Sequence, residues 1–452
     1  MVTKLSFDSL KKQINNAEID TVLVCLVDMQ GRLMGKRLEA HYFADSAYQE
    51  THCCNYLLAT DLEMATPEGY ASTGWDSGYG DYVMKPDLET LRPVSWLEGT
   101  VMVLCDVLDS HTHKPVPHSP RAILKAQIER LAALGYEAIM ATELEFFMFE
   151  KSFDEITKGG FKDLTPISSY NEDYHIFQTT KEENVMRPIR NHLYAAGIPV
   201  EGTKGEAEAG QEELNIKYDA PLNCADHHTI AKHAIKEISW QQGHAVTFLP
   251  KWHKDRVGSS SHIHQSIWKD GKSAFYDKDA AHGMSQLLCQ YMAGLIKYAP
   301  DVTYFLAPYV NSYKRFQKDT FAPTGTVWSI DNRTAGFRLC GEGSTAIRVE
   351  CRIGGSDLNP YLAIAAQLAA GLAGIEEQLE LPAPLRGNAY AATNADQLPS
   401  NLRDAMLVCN KSAMLRSAFG DAVVDHYYRC AQWEQEEFDK VVTDYEIARG
   451  FE

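Results

Sequence analysis

The sequence predicts an α+β fold, and three observations carry that expectation. Apolar runs rich in Val, Ile and Phe, at residues 21–27, 100–107 and 137–150, read as strands buried for most of their length. Turn-forming Gly, Asp and Asn clusters between several runs imply strands that double back, hence antiparallel pairing. Amphipathic or Ala-rich helices with polar caps interleave with them.

Taken in order, Ser6 caps a short amphipathic helix, and the strand "TVLVCLV" ends at Asp28. "DMQGRLMGKR" then turns and returns as a hairpin. Residues 70–82, rich in Gly, Ser, Tyr and Asp, read as a loop. After the strand at 100–107, "HTHKPVPHSP" is a loop or linker, and the domain boundary is placed near residue 110. That gives a small domain over 1–110 and a large one over 111–452. Ser119-Pro120 opens a helix that Gly135 ends. The acidic strand "EAIMATELEFFMFE" follows, then a helix over 183–196. Asp226 is expected to cap a helix running to Gln242. "AVTFLPK" and "SHIHQSIW" are strands, and a helix covers 284–297. "TAIRVECRI" is a strand, Pro360 begins an Ala-rich helix, and the tail is helical to its end.

Composition excludes several classes. At 452 residues the chain is too long for one ordinary core. A net charge of −18 argues against nucleic acid as a partner, because phosphate binding needs a basic face. Ten scattered cysteines without a CxxC, and a first segment lacking a signal-like apolar core, lead us to expect reduced thiols and a cytoplasmic protein. The weakly polar run at 358–375 contains Asn359, Pro360 and Gln367, and reads as a buried helix rather than a membrane span.

Chemistry enters with Glu143 and Glu145. Residues i and i+2 of a strand share a face, so these two carboxylates repel unless a cation lies between them. Two readings are open: a strand end with both acids in solvent, or a divalent-cation site. Glu206, Glu208, Glu212 and Glu213 surround Gly210-Gln211, His262 and His264 share another strand face, and Glu350 sits in "IRVECR". Many carboxylates and few nitrogens suit Mg²⁺ or Mn²⁺ better than structural zinc. Arg315, Arg333, Arg338, Arg348 and Arg352 reverse the local charge. They read as surface ion pairs or as clamps on phosphate and carboxylate groups. Metals with arginines are what phosphoryl transfer needs. A P-loop is absent: Ser266 stands where the motif ending in Gly271-Lys272-Ser273 requires glycine.

These residues, in order, resemble the glutamine synthetase family over nearly the whole chain. The resemblance is carried by "ELEF", "EAEAGQEE", "GSSSHIHQSIW", "NSYKR", the "APT" loop, "DNRTAGFR" and "RVECRIGGSDLNPYL", with "GYGDYVMKPDLETLR" and "SPRAIL" upstream. It implies a β-grasp amino-terminal domain, and a catalytic domain built of an antiparallel sheet and helices. It also implies a homo-oligomer, typically a dodecamer of two stacked hexameric rings with active sites between subunits. The substrates implied are ATP, glutamate and an amine, with two or three Mg²⁺ or Mn²⁺ ions per site. Carried over by position, Glu145, Glu206 and Glu213 match ligands of one metal, and Glu143, His262 and Glu350 match ligands of a second. His264 and Ser266 fall on nucleotide positions, with Arg338 and Arg348 near the phosphates. Gly258, Arg315, Arg333 and Arg352 match residues that handle glutamate and its acyl phosphate. Asp28 matches an aspartate that a neighbouring subunit offers to the amine. Glu208 and Glu212 match nothing in the family and read as solvated.

The chain departs from the family at its flap. Where ammonia-using members carry a glutamate before Ala-Pro, Phe321 stands here, with Asp319 nearby. An aromatic ring accepts no proton, but it covers an alkyl group and attracts a cation. The expectation is therefore a γ-glutamylamide synthetase joining glutamate to a primary amine, with methylamine or another short alkylamine favoured. Ammonia, a polyamine, or a catalytically silent homologue are the alternatives. Ser260 and Ser261 replace a Gly-Met pair, and "AATNADQLPSNL" lacks the tyrosine expected for control by adenylylation.

Overall fold

Alternation along the first buried strand decides how the chain is layered. The computed structural model describes residues 5–392 and 396–451, so part of the "AATNADQLPSNL" stretch lies outside the described residues. Strands β1 (Thr21–Val27), β2 (Leu33–Glu39), β3 (Thr51–Cys54), β4 (Asp81–Pro86), β5 (Arg92–Pro93) and β6 (Thr100–Asp109) form a six-stranded sheet. Its order is β2-β1-β6-β4-β3, with β5 also on β6, and β1 runs parallel to β6 among otherwise antiparallel pairs. Val22, Val24 and Leu26 face the helix Phe7–Asn15, packing with its Leu10 and Ile14. The other face sends Leu23 and Cys25 into a core shared with Ile189, Leu193 and Ile235 of two later helices. Ser6 caps the first helix as expected, its hydroxyl accepting from the Ser9 amide.

The second sheet contains β7 (Glu137–Phe149), β8 (Val200–Gly205), β9 (Gln211–Ile216), β10 (Ala245–Thr247), β11 (Ile263–Lys269), β12 (Lys272–Ser273), β13 (Trp328–Ile330), β14 (Phe337–Cys340) and β15 (Arg348–Cys351). Its main order is β13-β14-β15-β11-β7-β9-β8, antiparallel except between β13 and β14. The fold is α+β, as the strand pattern predicts.

The Ala-rich helix Pro360–Glu376 is buried almost throughout and lies against the helix Gln286–Leu306. A side chain on Gly294 would meet the Ala370 carbonyl at 2.3 Å, so glycine is what lets the two backbones approach. Two expectations need correction. The helix expected over 284–297 continues through Pro300 to Leu306. Asp226 is not a cap: it lies inside the helix Pro221–Gln241, which starts on Pro221 instead. Among the described residues no helix is long and apolar enough to cross a membrane.

Candidate active site

Strand register brings the acids together. On β7, Glu145 lies opposite Glu213 of β9, while the Glu143 amide donates to the His262 carbonyl at 3.0 Å. On the far side of β11, His264 pairs with Glu350 of β15, and Glu350 in turn with Arg338 of β14. Five adjacent segments therefore present their polar residues on one surface.

The acids sort into two groups. In the first, Glu143, His262 and Glu350 hold ligand atoms within 4.8 Å of one another, and in the second Glu145, Glu206 and Glu213 do the same. Glu143 accepts from His262 Nδ1 at 2.7 Å and approaches His264 Nε2 at 2.9 Å. Burial alone would raise its carboxyl, but those imidazoles hold it well below the usual range. Burial likewise opposes ionised Glu350, yet His262 and Arg352 keep it down at about 2. Arg338 and Arg352 both donate to Glu350.

The second group is strained electrostatically. Burial, with Glu206 and Glu213 alongside, pushes Glu145 well above the ordinary carboxylate range. Burial, with Glu143 and Glu206 nearby, puts Glu213 at about 8. Two cations oppose these acids: Arg315, whose charge acts on Glu145, and Lys204, whose ammonium donates to Glu206. Burial works against that ammonium, but Glu206 and Glu213 raise its pKa. Converging oxygen donors with one imidazole fit hard divalent ions, which would relieve the repulsion.

A pH dependence follows. Between the ordinary Glu value and about pH 8, the folded metal-free chain keeps a proton on Glu213 that the unfolded chain releases. Stability then falls as pH rises across that window. Ions bind the deprotonated groups, so the Tm increase produced by saturating Mg²⁺ should widen from about pH 5 to about pH 8. Thermal melts with and without Mg²⁺ check this, and a shift of constant size would contradict it.

The arginines divide by burial. Arg315 is 1% exposed and donates to Ser260 Oγ at 3.1 Å and to the Ile353 carbonyl. Gly258 lies against it: a methyl group there would meet Arg315 Cγ at 2.5 Å. Arg333 is exposed and lines an open pocket with Phe321 and Asp331. His264, Ser266 and Arg348 line a separate cavity together with Trp268, on the side of β11 where a nucleotide is expected. Arg338 is outside that cavity, bound to Asp331 and Glu350.

Some expected residues stand elsewhere. Asp28 is fully buried in the β1–β2 turn, where its carboxylate accepts from the Gln30 and Arg32 amides and from Arg32 Nε at 2.6 Å. A group so enclosed by its own turn cannot face an amine in a neighbouring subunit, so that assignment is withdrawn. Glu212 is not solvated but 1% exposed, and Glu208 is half-buried against Arg256 at 2.8 Å. The sequence reading also missed Gln211, whose amide bridges the Gly258 carbonyl at 3.0 Å and Glu145 at 3.5 Å. Lys204 was missed too, although its two-residue spacing from Glu206 was the available signal. Ser260 donates its amide to Glu145 at 2.7 Å, and Ser261 its hydroxyl to the Glu143 carbonyl at 2.8 Å. Both serines thus support the acidic strand.

A carboxylate bed with arginines at its rim and a cavity beside it suits phosphoryl transfer onto an oxyanion. Placed beside its relatives, the protein is an ATP-dependent carbon–nitrogen ligase. It belongs to the glutamine synthetase family, since residues 117–449 match the family described as glutamine synthetase, catalytic domain. Over 450 residues it is 43% identical to γ-glutamylethanolamide synthetase GlnA4 of Streptomyces coelicolor, covering 99% of this chain and 96% of that one. Over 441 residues it is 35% identical to glutamate–isopropylamine ligase of a Pseudomonas species, covering 96% of each. The solved structure "Apo GmaS without ligand" superposes with a TM-score of 0.84 at 26% identity, covering 96% of this chain and 97% of that one.

Proposed function

We propose that the enzyme joins the γ-carboxylate of L-glutamate to a short primary alkylamine, at the expense of ATP, through γ-glutamyl phosphate. The observation that carries the amine is Phe321. The residue is 59% exposed, its backbone lies in the left-handed region at φ 58°, and it shares a pocket with Arg333 and Asp331. That conformation costs a phenylalanine of order 1 kcal/mol or more, so the flap must hold it there. The two relatives named for ethanolamide and isopropylamine support alkylamines of two or three carbons as readily as methylamine.

In this reading Glu145, Glu206 and Glu213 hold one divalent ion, and Glu143, His262 and Glu350 a second. Bound ions would neutralise phosphate charge during transfer. Arg315, Arg333 and Arg352, with Gly258 leaving room beside Arg315, position the glutamate carboxylates and the acyl phosphate. His264, Ser266 and Arg348 orient the nucleotide from their cavity, and Arg338, outside it on Glu350, acts toward the phosphates. The amine arrives protonated, so a carboxylate must take its proton. Asp319 and Asp331 are the acids nearest Phe321 in sequence or pocket, and they replace Asp28 in that role. We place the boundary between the small and large domains near residue 110. The family's ring assembly of two stacked hexamers is the oligomer we expect, with the enzyme in the cytoplasm.

Kinetics with ammonia, methylamine, ethanolamine and isopropylamine side by side test the amine. An alkylamine should exceed ammonia in kcat/KM, and ammonia exceeding all three would refute the proposal. Phe321→Glu should then raise the ammonia-to-alkylamine ratio by about tenfold or more. An unchanged ratio would show that the flap residue is not the selector.

A further inference from the structure

A third group of acids lies outside the machinery just described. Glu172 is 0% exposed, and Glu182 and Glu212 are each 1% exposed. Their carboxylate oxygens lie within 4.8 Å of one another. Adjacent residues of a strand point to opposite faces, so Glu212 projects from the side of β9 that faces away from Glu213.

What distinguishes this cluster from an acidic surface is the state of its oxygens. Both oxygens of Glu172, both of Glu182 and Oε1 of Glu212 are buried and receive no hydrogen bond from a nitrogen or hydroxyl donor among the described residues, the three carboxyls being left to one another. Enclosed carboxylates normally accept hydrogen bonds or meet a cation. The neighbouring cations give their hydrogen bonds elsewhere: Arg190, whose charge reaches Glu212, donates to both oxygens of Glu183, at 2.8 and 2.6 Å, and to Thr203 at 2.9 Å. Lys181 donates to Gln178. Burial, with Glu172 beside it, pushes the Glu182 carboxyl up to about 10. The enclosure thus works strongly against charge unless a cation enters.

The surroundings are built to hold the three acids together. The Glu172 loop is seated on the β8–β9 hairpin, where a methyl group on Gly205 would meet the Glu172 carbonyl at 2.5 Å. Asn171 Nδ2 donates to the Ala207 carbonyl at 3.0 Å, and the Tyr174 amide donates to the Gly205 carbonyl at 3.3 Å. Glu182 immediately precedes the helix Glu183–Ala195, whose Ile189 and Leu193 are anchored in the core. One ion would therefore join a loop, a helix start and the strand that carries Glu213.

We propose that Glu172, Glu182 and Glu212 form a separate, structural divalent-cation site that fastens residues 171–182 to the β8–β9 hairpin. Three carboxylates with no nitrogen or sulfur donor select a hard ion, Mg²⁺, Mn²⁺ or Ca²⁺. The site does not depend on which amine is joined.

The test uses the full-length protein without nucleotide. Equilibrium dialysis against Mn²⁺ should show Glu182→Gln binding one ion fewer per chain than wild type. Hydrogen exchange in 171–182 should slow on adding Mn²⁺ to wild type but not to the variant. Equal ion counts, with exchange unaffected by Mn²⁺ in wild type, would overturn the proposal and leave the acids neutralised by shared protons. If Glu182→Gln fails to fold, Glu172→Gln and the wild-type exchange measurement decide by the same criteria.

Discussion

Glu143→Gln is expected to lower kcat by roughly a thousandfold. The carboxylate is the hub of its group, contacting His262 Nδ1 at 2.7 Å and His264 Nε2 at 2.9 Å. Glutamine keeps the shape but removes the charge that holds both imidazoles and, in the proposed mechanism, one ligand of the phosphate-facing ion. Charge stabilisation specific to the transition state should fall far more than ground-state affinity, so KM for ATP should move much less than kcat. ADP release measured across a Mg²⁺ titration checks this. Activity within about tenfold of wild type at saturating Mg²⁺ would show that Glu143 does not serve the reacting phosphate.

Arg121→Met is expected to destabilise the fold by about 3–5 kcal/mol. Arg121 is 2% exposed and donates to Asp226 at 3.2 and 3.1 Å, to Asp106 at 2.7 Å and to Asp87 at 2.8 Å. Asp226 is equally buried and also accepts from the Tyr361 hydroxyl at 2.6 Å. Methionine fills much of the volume but leaves that carboxylate without its cation. Because Asp87 and Asp106 come from the first sheet's strands and turns, the loss loosens the junction between that sheet and three helices. Urea unfolding followed by circular dichroism measures it. A loss below about 1 kcal/mol would mean that the network behaves like a solvent-exposed ion pair.

The same arginine shows where the sequence stopped being legible. Asp226 fits a helix cap by residue type, and nothing local says that Arg121, 105 residues earlier, will reach it. Burial there is a tertiary property. The strands were easier: β1, β6 and β7 are apolar enough to be read from composition, and two-residue spacing alone puts Glu143 and Glu145 on one face. That the pair divides between two groups was expected only from resemblance; physically, the division follows from what each side chain meets, because Glu145 lies opposite Glu213 on β9 whereas Glu143 lies opposite Asn215 and meets the His262 and His264 imidazoles instead. Glu212 was read as solvated because its covering loop arrives from residues 171–182, far back in the chain. Asp28 failed for a related reason, since a motif position does not reveal that Arg32, four residues on, encloses the carboxylate.

The central claim is that ATP activates the γ-carboxylate of glutamate before an alkylamine displaces phosphate. Glutamate labelled with ¹⁸O in that carboxylate, turned over with ATP and isopropylamine or ethanolamine, tests it most directly. One labelled oxygen should leave with each phosphate released, in step with ADP and a γ-glutamylalkylamide. Phosphate free of label, or ADP formed without the amide, would contradict the account.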